Sequence, residues 1–381
     1  MNFLRSSALE LLSAAVLTAV VGCGPADGSR EYAAGEEAYA LRDLKKSEKM
    51  FEKCIERAPG NVSALVYLSK TKLELGDLKA AANAIAKASA VAGGDVDVRM
   101  LEAQISWHLK DYKRSAELFA ALAADGTLDP SARSKAYAGL GVVEMSRNER
   151  DLARIAFLRA IRVDRRNAAA WYHLALLYRD QFGYTEAALD HFEFYVRLEA
   201  AADVRVQKVQ RSIIPELKEM ISRAMAARPG VAKRNSAASA ALISKAESAW
   251  KAKTYKTARL RYGEALSSDP LSYPAAMGLA KAWLASDKTV NGKKNAFSNY
   301  KLACELRPSS VSTFLQAGQM AVSLGYHASA VEIYSRALAA NPASLDAIDG
   351  LIRALRKVGN PKTAQAYQIY RDTIPSPRKK K

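Results

Sequence analysis

The stretch that decides the fold is Trp171–Phe192, with the sequence WYHLALLYRDQFGYTEAALDHF. Its first half places apolar and small residues three or four positions apart, which is the spacing of one face of an α-helix. Its second half pairs a small residue, Ala188, with a large one four positions later, Phe192, so both fall on one face of a second helix. The stretch therefore predicts two packed helices joined by a turn.

Small residues recur with a fixed period on both sides of this stretch. Intervals of 34 residues separate Gly35, Ser69 and Ala103, Gly141 and Ala175, Ala246 and Ala280, and Gly318 and Ile352. Two intervals of 38 residues carry their extra positions in expected loops, 124–130 and 286–294, where insertions cost little. Together with an alanine-rich composition, the period predicts an all-α chain of about nine helix pairs.

Each helix pair repeats the same local pattern. Gly76-Asp77-Leu78 and Lys110-Asp111-Tyr112 supply turns in which the aspartate can cap the next helix. Small and large residues four positions apart then mark the second helix of each pair: Ala81 and Ile85, Ala153 and Phe157, Ala258 and Tyr262, Ala296 and Tyr300, and Ala330 and Tyr334. The small residue lets the first helix approach, and the large one fills the gap.

These residues resemble the tetratricopeptide repeat. Trp171, Leu174, Ala175 and Tyr178, followed by Ala188 and Phe192, match its pattern, and the recurrence covers most of residues 28–374. The resemblance implies a right-handed α-solenoid superhelix of helix-turn-helix repeats. It also implies that the first helices line a concave groove that receives a peptide or a helix of another protein.

First-helix side chains that are not needed between repeats are the candidates for this groove. They are Tyr39, Trp107, Met145, Tyr172, Arg179, Trp250 and Lys281. Aromatic residues and arginine are favoured in binding hot spots because they bury much area for few frozen rotamers. Each aromatic residue could instead fill a seam between helices, and the sequence leaves both interpretations open.

The interval from Ala175 to Ala246 is 71 residues, close to two periods, so a further element occupies the middle of the chain. We interpret residues 202–238 as a degenerate helix pair, Asp203–Ile214 and Glu216–Ala227, with a basic linker after it. The pair could continue a single array, or two arrays could be joined flexibly there. The predicted order is signal peptide 1–22, lipidated N-terminus and tether 23–29, an array of about five repeats in 30–201, the middle segment 202–238, an array of about four repeats in 239–374, and basic tail 375–381.

The N-terminus is typical of an export signal. Arg5 precedes an apolar run at residues 11–21, which is too short to span a bilayer comfortably, and Val-Val-Gly-Cys23 resembles a bacterial lipobox. The resemblance implies that Cys23 carries acyl chains, such as palmitate, and becomes the mature N-terminus. With Gly24 rather than aspartate after it, we expect a lipid-anchored protein of the bacterial outer membrane that faces the periplasm. An ordinary secretory signal or an uncleaved anchor is the alternative.

The net charge of +18 is unevenly distributed. Residues 1–200 hold 27 basic and 27 acidic side chains, whereas residues 201–381 hold 30 basic and 12 acidic ones. The candidate basic patch comprises Lys245, Lys251, Lys253, Lys256, Arg259, Arg261, Lys293 and Lys294. Such a surface favours an anionic partner, for example a cell-wall or surface polymer, although these side chains could simply be solvated. Nucleic acid is not expected, because no nucleic-acid-binding motif accompanies the charge.

Nothing in the sequence points to catalysis, a metal or a cofactor. Four histidines are dispersed among the repeats, and no phosphate-binding loop or nucleophile motif is present. Cys54 and Cys304 fall in amphipathic helices, where buried thiols are more plausible than a disulfide. The leading hypothesis is a scaffold for assembly of a pilus, secretion or outer-membrane machine. The alternatives are a binder of anionic polymer and a regulator of a wall-building enzyme.

Overall fold

The structure, a computed structural model, describes residues 28–375. The predicted signal peptide, the lipid-attachment residue Cys23 and residues 376–381 of the predicted basic tail lie outside the described residues. The described residues divide into two compact units, with the boundary after Leu177. They are residues 28–177, called unit 1, and residues 178–375, called unit 2.

Unit 1 is a stack of helices in which each helix packs against the next one along the chain. The helices are α1 (Ser29–Ala40), α2 (Leu44–Arg57), α3 (Val62–Glu74), α4 (Leu78–Ala92), α5 (Val96–His108), α6 (Tyr112–Ala124), α7 (Pro130–Ser146), α8 (Arg150–Val163) and α9 (Ala168–Leu177). In each pair from α1–α2 to α7–α8, the first helix belongs to the first half of a 34- or 38-residue repeat.

Unit 2 opens with a π-helical turn, Tyr178–Phe182, and closes with four further helix pairs. Its helices are α10 (Thr185–Leu198), α11 (Val204–Lys208), α12 (Ile214–Ala226), α13 (Ser236–Lys251), α14 (Tyr255–Ser268), α15 (Tyr273–Ser286), α16 (Val290–Leu306), α17 (Val311–Ser323), α18 (His327–Ala340), α19 (Leu345–Lys357) and α20 (Pro361–Asp372). Residues 28–375 contain no β-strand, and the expected all-α solenoid class is confirmed.

The turn inside most pairs places one residue in the left-handed region at the same point of the repeat. Gly76 has φ 84° there, whereas Lys110 has φ 65° in the turn between α5 and α6. The next residue caps the second helix: Asp77 accepts from the Ala80 N–H at 3.0 Å, and Asp111 accepts from the Arg114 N–H at 3.0 Å. The predicted turn and both predicted caps are therefore confirmed.

The small residue of the first helix permits close approach of an aromatic ring. The Phe51 ring lies against Gly35, and the Phe157 ring lies against Gly141, so closely that a Cβ atom on either glycine would clash. Both rings are fully buried. The 34-residue spacing of small residues is thus a packing requirement of the repeat.

The middle of the chain differs from the prediction of a helix pair. Val204–Lys208, a π-helical turn at Val209–Ile213 and Ile214–Ala226 follow one another without a break, so the segment is one helical run. Pro215 was expected to separate two helices, because proline clashes with the preceding turn. The wider π turn lies directly before Pro215, as expected where a helix absorbs such a defect.

The expected linker is also shorter than predicted. After Ala226 the chain makes a short 3₁₀ turn at Val231–Lys233, and α13 begins at Ser236, before the predicted end of the middle segment at residue 238. The boundary between the two units, after Leu177, falls before the predicted end of the first array at residue 201. The bounds of the two arrays, 30–201 and 239–374, stay a prediction. No helix of residues 28–375 is long and apolar enough to cross a membrane.

Candidate protein-binding surface

The seven predicted groove residues are divided between the two units. Tyr39, Trp107, Met145 and Tyr172 lie in unit 1, on first helices of their repeats. Arg179, Trp250 and Lys281 lie in unit 2. Four of the predicted groove residues therefore belong to unit 1 and three to unit 2.

Tyr39 joins the first two repeats of unit 1. Its half-buried ring meets the Tyr67 ring edge-on with 5.6 Å between centroids, and its hydroxyl donates to a Glu74 carboxylate oxygen. Glu74 also pairs with Arg42. Tyr39 thus fills a seam between α1 and α3 while part of it stays accessible.

The two tryptophans are also seam residues. Trp107 donates from Nε1 to Ser146 Oγ at 2.8 Å and packs on a core that contains Phe119. Trp250 meets the Tyr255 ring edge-on at 5.0 Å between centroids. Both are half-buried, so the packing interpretation that the sequence left open describes most of their contacts.

Tyr172 fits the packing interpretation that the sequence left open, and not the groove interpretation. The side chain is 4% exposed, and most of α9 around it is buried as well. The sequence of α9 is apolar on nearly every face, and a helix of that kind is buried all round. The 34-residue period places Tyr172 on the first helix of its repeat, but it does not predict how much of that helix is buried.

The remaining groove candidates are partly or fully exposed. Arg179 forms two contacts with the neighbouring Asp180 carboxylate, at 2.5 and 3.0 Å, and is partly exposed. Met145 is half-buried, and Lys281 is exposed. None of these three is buried in the core.

A cluster on the first helices of unit 1 was missed by the sequence reasoning. The Tyr32 hydroxyl donates to Glu36 Oε1 at 2.9 Å, and the Tyr32 ring lies edge-on to Tyr67 with 6.0 Å between centroids. Lys70 Nζ lies 5.1 Å from the Tyr67 ring centroid. We call Tyr32, Tyr39, Tyr67 and Lys70 the tyrosine face. Glu36 and Lys70 are one 34-residue period apart, and that register could have revealed the cluster.

The electrostatics of the tyrosine face are unusual for a surface. Burial lowers the pKa of Lys70, an effect that nearby Asp97 opposes. Burial also raises the pKa of Asp97, with a further contribution from Asp95, against the opposing charges of Lys70 and Lys135. Within residues 28–375 no carboxylate lies within ion-pair distance of Lys70. Partly desolvated charges beside aromatic rings are typical of surfaces that bind.

The predicted basic patch lies on unit 2, and two of its eight members are engaged by the fold. The Arg259 guanidinium lies 4.1 Å from the Trp283 ring centroid and donates to Ser286 Oγ at 3.1 Å. Arg261 pairs with Glu264 at 2.8 Å. Six lysines make no ion pair with any described residue: Lys245, Lys251, Lys253, Lys256, Lys293 and Lys294. The positive charge of these six lysines is therefore not compensated by an ion pair within the described residues.

The two cysteines and the possible metal-ligating side chains of the described residues add no further candidate site. Cys54 and Cys304 are buried thiols that are not joined in a disulfide, as predicted, and burial raises the pKa of the Cys304 thiol to about 12. A thiol of this kind is a packing group rather than a nucleophile. In the described part of the chain, no group of three His, Cys, Asp or Glu side chains could hold a metal ion.

The stacked helix pairs and their accessible first-helix face define an α-solenoid of the kind that binds other proteins. Tetratricopeptide repeat family models match residues 38–105, 139–203 and 311–344. The chain belongs to the tetratricopeptide repeat proteins, a class of protein-interaction scaffolds.

Solved structures with related folds have low sequence identity to this chain. TTC0263, a thermophilic tetratricopeptide repeat protein of Thermus thermophilus, is 18% identical with a TM-score of 0.43, over 50% of this chain and 99% of that one. PilF of Pseudomonas aeruginosa is 17% identical with a TM-score of 0.41, over 53% and 93%. MamA of Desulfovibrio magneticus is 15% identical with a TM-score of 0.39, over 48% and 99%. No curated protein matches the sequence.

Proposed function

We propose that this protein is a lipid-anchored scaffold that gathers partner proteins during assembly of a complex in the bacterial cell envelope. Examples of such a complex are a pilus, a secretion system and the outer-membrane insertion machinery. The tyrosine face carries the proposal for the binding surface. The lipobox at Cys23 supports the anchor. Regulation of a wall-building enzyme, the alternative named above, would use the same binding surface for a single partner.

The tyrosine face suits a peptide or helix that carries an acidic residue. Its three rings offer a large area whose side chains lose little entropy on binding, because neighbouring rings and Glu74 already hold them. A partner carboxylate beside Lys70 would give that partly desolvated ammonium group an ion pair that the described residues do not supply. Affinity and specificity would therefore come from different parts of one surface.

Replacing Lys70 tests the partner surface. In a pull-down from envelope proteins, the amount captured by Lys70→Glu bait should be at least ~10-fold lower than with wild-type bait, the equivalent of about 1.4 kcal/mol. Lys87→Glu is the matched control, because Lys87 is exposed on the second helix α4 and makes the same charge change. Equal loss from both variants would show a general charge effect, and no loss from either would remove Lys70 from the partner surface.

Cell fractionation tests the anchor and its location. Wild-type protein should sediment with the outer membrane and require detergent for release, because several acyl chains bind a bilayer almost irreversibly at roughly 0.8 kcal/mol per buried CH₂. Cys23→Ala should appear in the soluble fraction. Retention of that variant in membranes would contradict lipid anchoring, and wild-type protein in the inner-membrane fraction would contradict the outer-membrane expectation.

The six unpaired lysines of unit 2 favour a second candidate function, binding of an anionic cell-wall or surface polymer. Binding of purified protein to isolated cell wall should then fall steeply towards 1 M salt, where the Debye length is about 3 Å. Replacing Lys251, Lys253 and Lys256 with alanine should weaken it, whereas the same change at Lys45, Lys46 and Lys49, which are exposed on unit 1, should not. Salt-resistant binding would exclude this electrostatic mechanism.

A further inference from the structure

Unit 2 contains a cavity that none of the preceding functions uses. The volume of this cavity is about 260 Å³, somewhat below the range of pockets for drug-sized ligands. It lies where the start of α10 meets the end of α18 and the loop before α17. Its lining includes Tyr184, Glu186, Asp190, Phe314 and Arg336.

Arg336 is the only basic side chain in this lining. Its guanidinium carbon lies 5.8 Å from the Tyr184 ring centroid and 5.6 Å from the Phe314 ring centroid, so two rings flank the cation. Among residues 28–375, no carboxylate lies within ion-pair distance of it. A guanidinium held by aromatic rings with its donors unpaired is suited to a carboxylate ligand, which it can grip with two hydrogen bonds.

Two negatively charged side chains of the lining lie on α10. Glu186 is half-buried, and Asp190, one helical turn later, is an exposed residue of the lining. The pKa of Asp190 is raised by desolvation and by repulsion from Glu193 and Glu186, which Arg197 opposes only in part. These carboxylates would gain from a ligand cation. Phe314, Ala339 and Ala340 add apolar surface to the same lining.

We propose that this cavity binds a free amino acid with an apolar side chain. Its carboxylate would lie on Arg336, its ammonium group on Glu186 and Asp190, and its side chain against the apolar surface of the lining. A small volume and charged groups of both signs favour a zwitterion of this size over a purely anionic or cationic ligand. The proposal does not depend on the tyrosine face or on the lipid anchor.

Calorimetric titration of the full-length protein in detergent with L-leucine tests the proposal. We expect a dissociation constant of about 1 mM or tighter, and binding at least ~10-fold weaker for L-leucinamide and for N-acetyl-L-leucine, each of which lacks one charge. Absence of binding up to roughly 10 mM L-leucine, or equal binding of all three compounds, would overturn the proposal. Tighter binding of leucyl-glycine than of L-leucine would show that the cavity takes a peptide, and would overturn the assignment to a free amino acid.

Variants separate the two ends of the site. Arg336→Gln should weaken the binding of L-leucine at least ~10-fold. Arg356 is an exposed arginine on α19 outside the cavity, so Arg356→Gln should leave this affinity unchanged. Far-ultraviolet circular dichroism checks that each variant is folded. If Arg336→Gln does not fold, Glu186→Gln provides the test, because it should reduce the preference for L-leucine over N-acetyl-L-leucine. An unchanged preference would contradict the proposed role of α10.

Discussion

Phe157 lies so close to Gly141 that a Cβ atom added to the glycine would sit 2.4 Å from Cε1 of the ring. Both residues are buried in the helix pair α7–α8, so neither can move aside freely. Gly141→Ala should therefore lower the free energy of unfolding by about 1–3 kcal/mol, the range for overpacking a core. Chemical denaturation followed by circular dichroism measures the change.

Gly263 in α14 provides the matched control. No atom lies within 4 Å of a Cβ atom built on it, and it occupies a helix interior. Gly263→Ala should raise the free energy of unfolding by about 0.4–1 kcal/mol, because it restricts the unfolded chain. If both alanine variants were stabilising, close packing would not be the reason for the small residue in the repeat.

The turn at Lys110 stores a modest backbone strain. Lys110 has φ 65°, and Gly76 occupies the equivalent position one period earlier with φ 84°. Lys110→Gly should therefore stabilise unit 1 by roughly 1 kcal/mol, since only glycine adopts this region without a steric penalty. Lys113→Gly, inside α6, should instead destabilise by about 1 kcal/mol, and thermal midpoints of both variants distinguish strain relief from a general effect of glycine.

Trp107 should contribute to stability more than to partner binding. Trp107→Phe removes the hydrogen bond from Nε1 to Ser146 Oγ, and a loss of about 0.5–1.5 kcal/mol is expected. Ser146→Ala should have a similar effect, and the double variant should lose less than the sum of the two. Strictly additive losses would show that the hydrogen bond does not couple the two repeats.

His191 should make unit 2 sensitive to acid. Burial lowers its pKa from 6.5 to about 4, although a contact from Nδ1 to the Ala187 carbonyl at 2.6 Å opposes the shift. The unfolded chain then binds more protons between these values, so stability is complete above about pH 6.5 and falls towards pH 4, by at most about 3 kcal/mol. Urea midpoints between pH 7.5 and 4.5 should show a shallower decline for His191→Gln. An identical pH dependence would exclude His191 as its source.

Much of the fold follows from the sequence because the repeat imposes the same local solution many times. The period located the small residues that meet Phe51 and Phe157, and the aspartates at 77 and 111 identified helix starts. The segment around Pro215 was predicted less well, because a π turn can keep a helix continuous where proline would otherwise end it. Local patterns predict helices better than they predict how a helix tolerates a defect.

Surfaces were harder to predict than helices. Tyr172 shares the register of the other groove candidates but is buried, as is most of α9. The cavity beside Arg336 combines residues about 150 positions apart in the chain, which no repeat-scale pattern could bring together. Burial and long-range packing decide such sites, and both depend on the assembled unit.

Photo-crosslinking in intact cells tests the central claim, that a partner protein binds the first-helix face of unit 1. A photoreactive amino acid would replace Lys70 or Gln104, one period apart on first helices α3 and α5, and Lys87 on the second helix α4 as the control. The account predicts a discrete adduct from positions 70 and 104, recovered in the membrane fraction, and none from position 87. Equal adducts from all three positions, or adducts from position 87 alone, would contradict it.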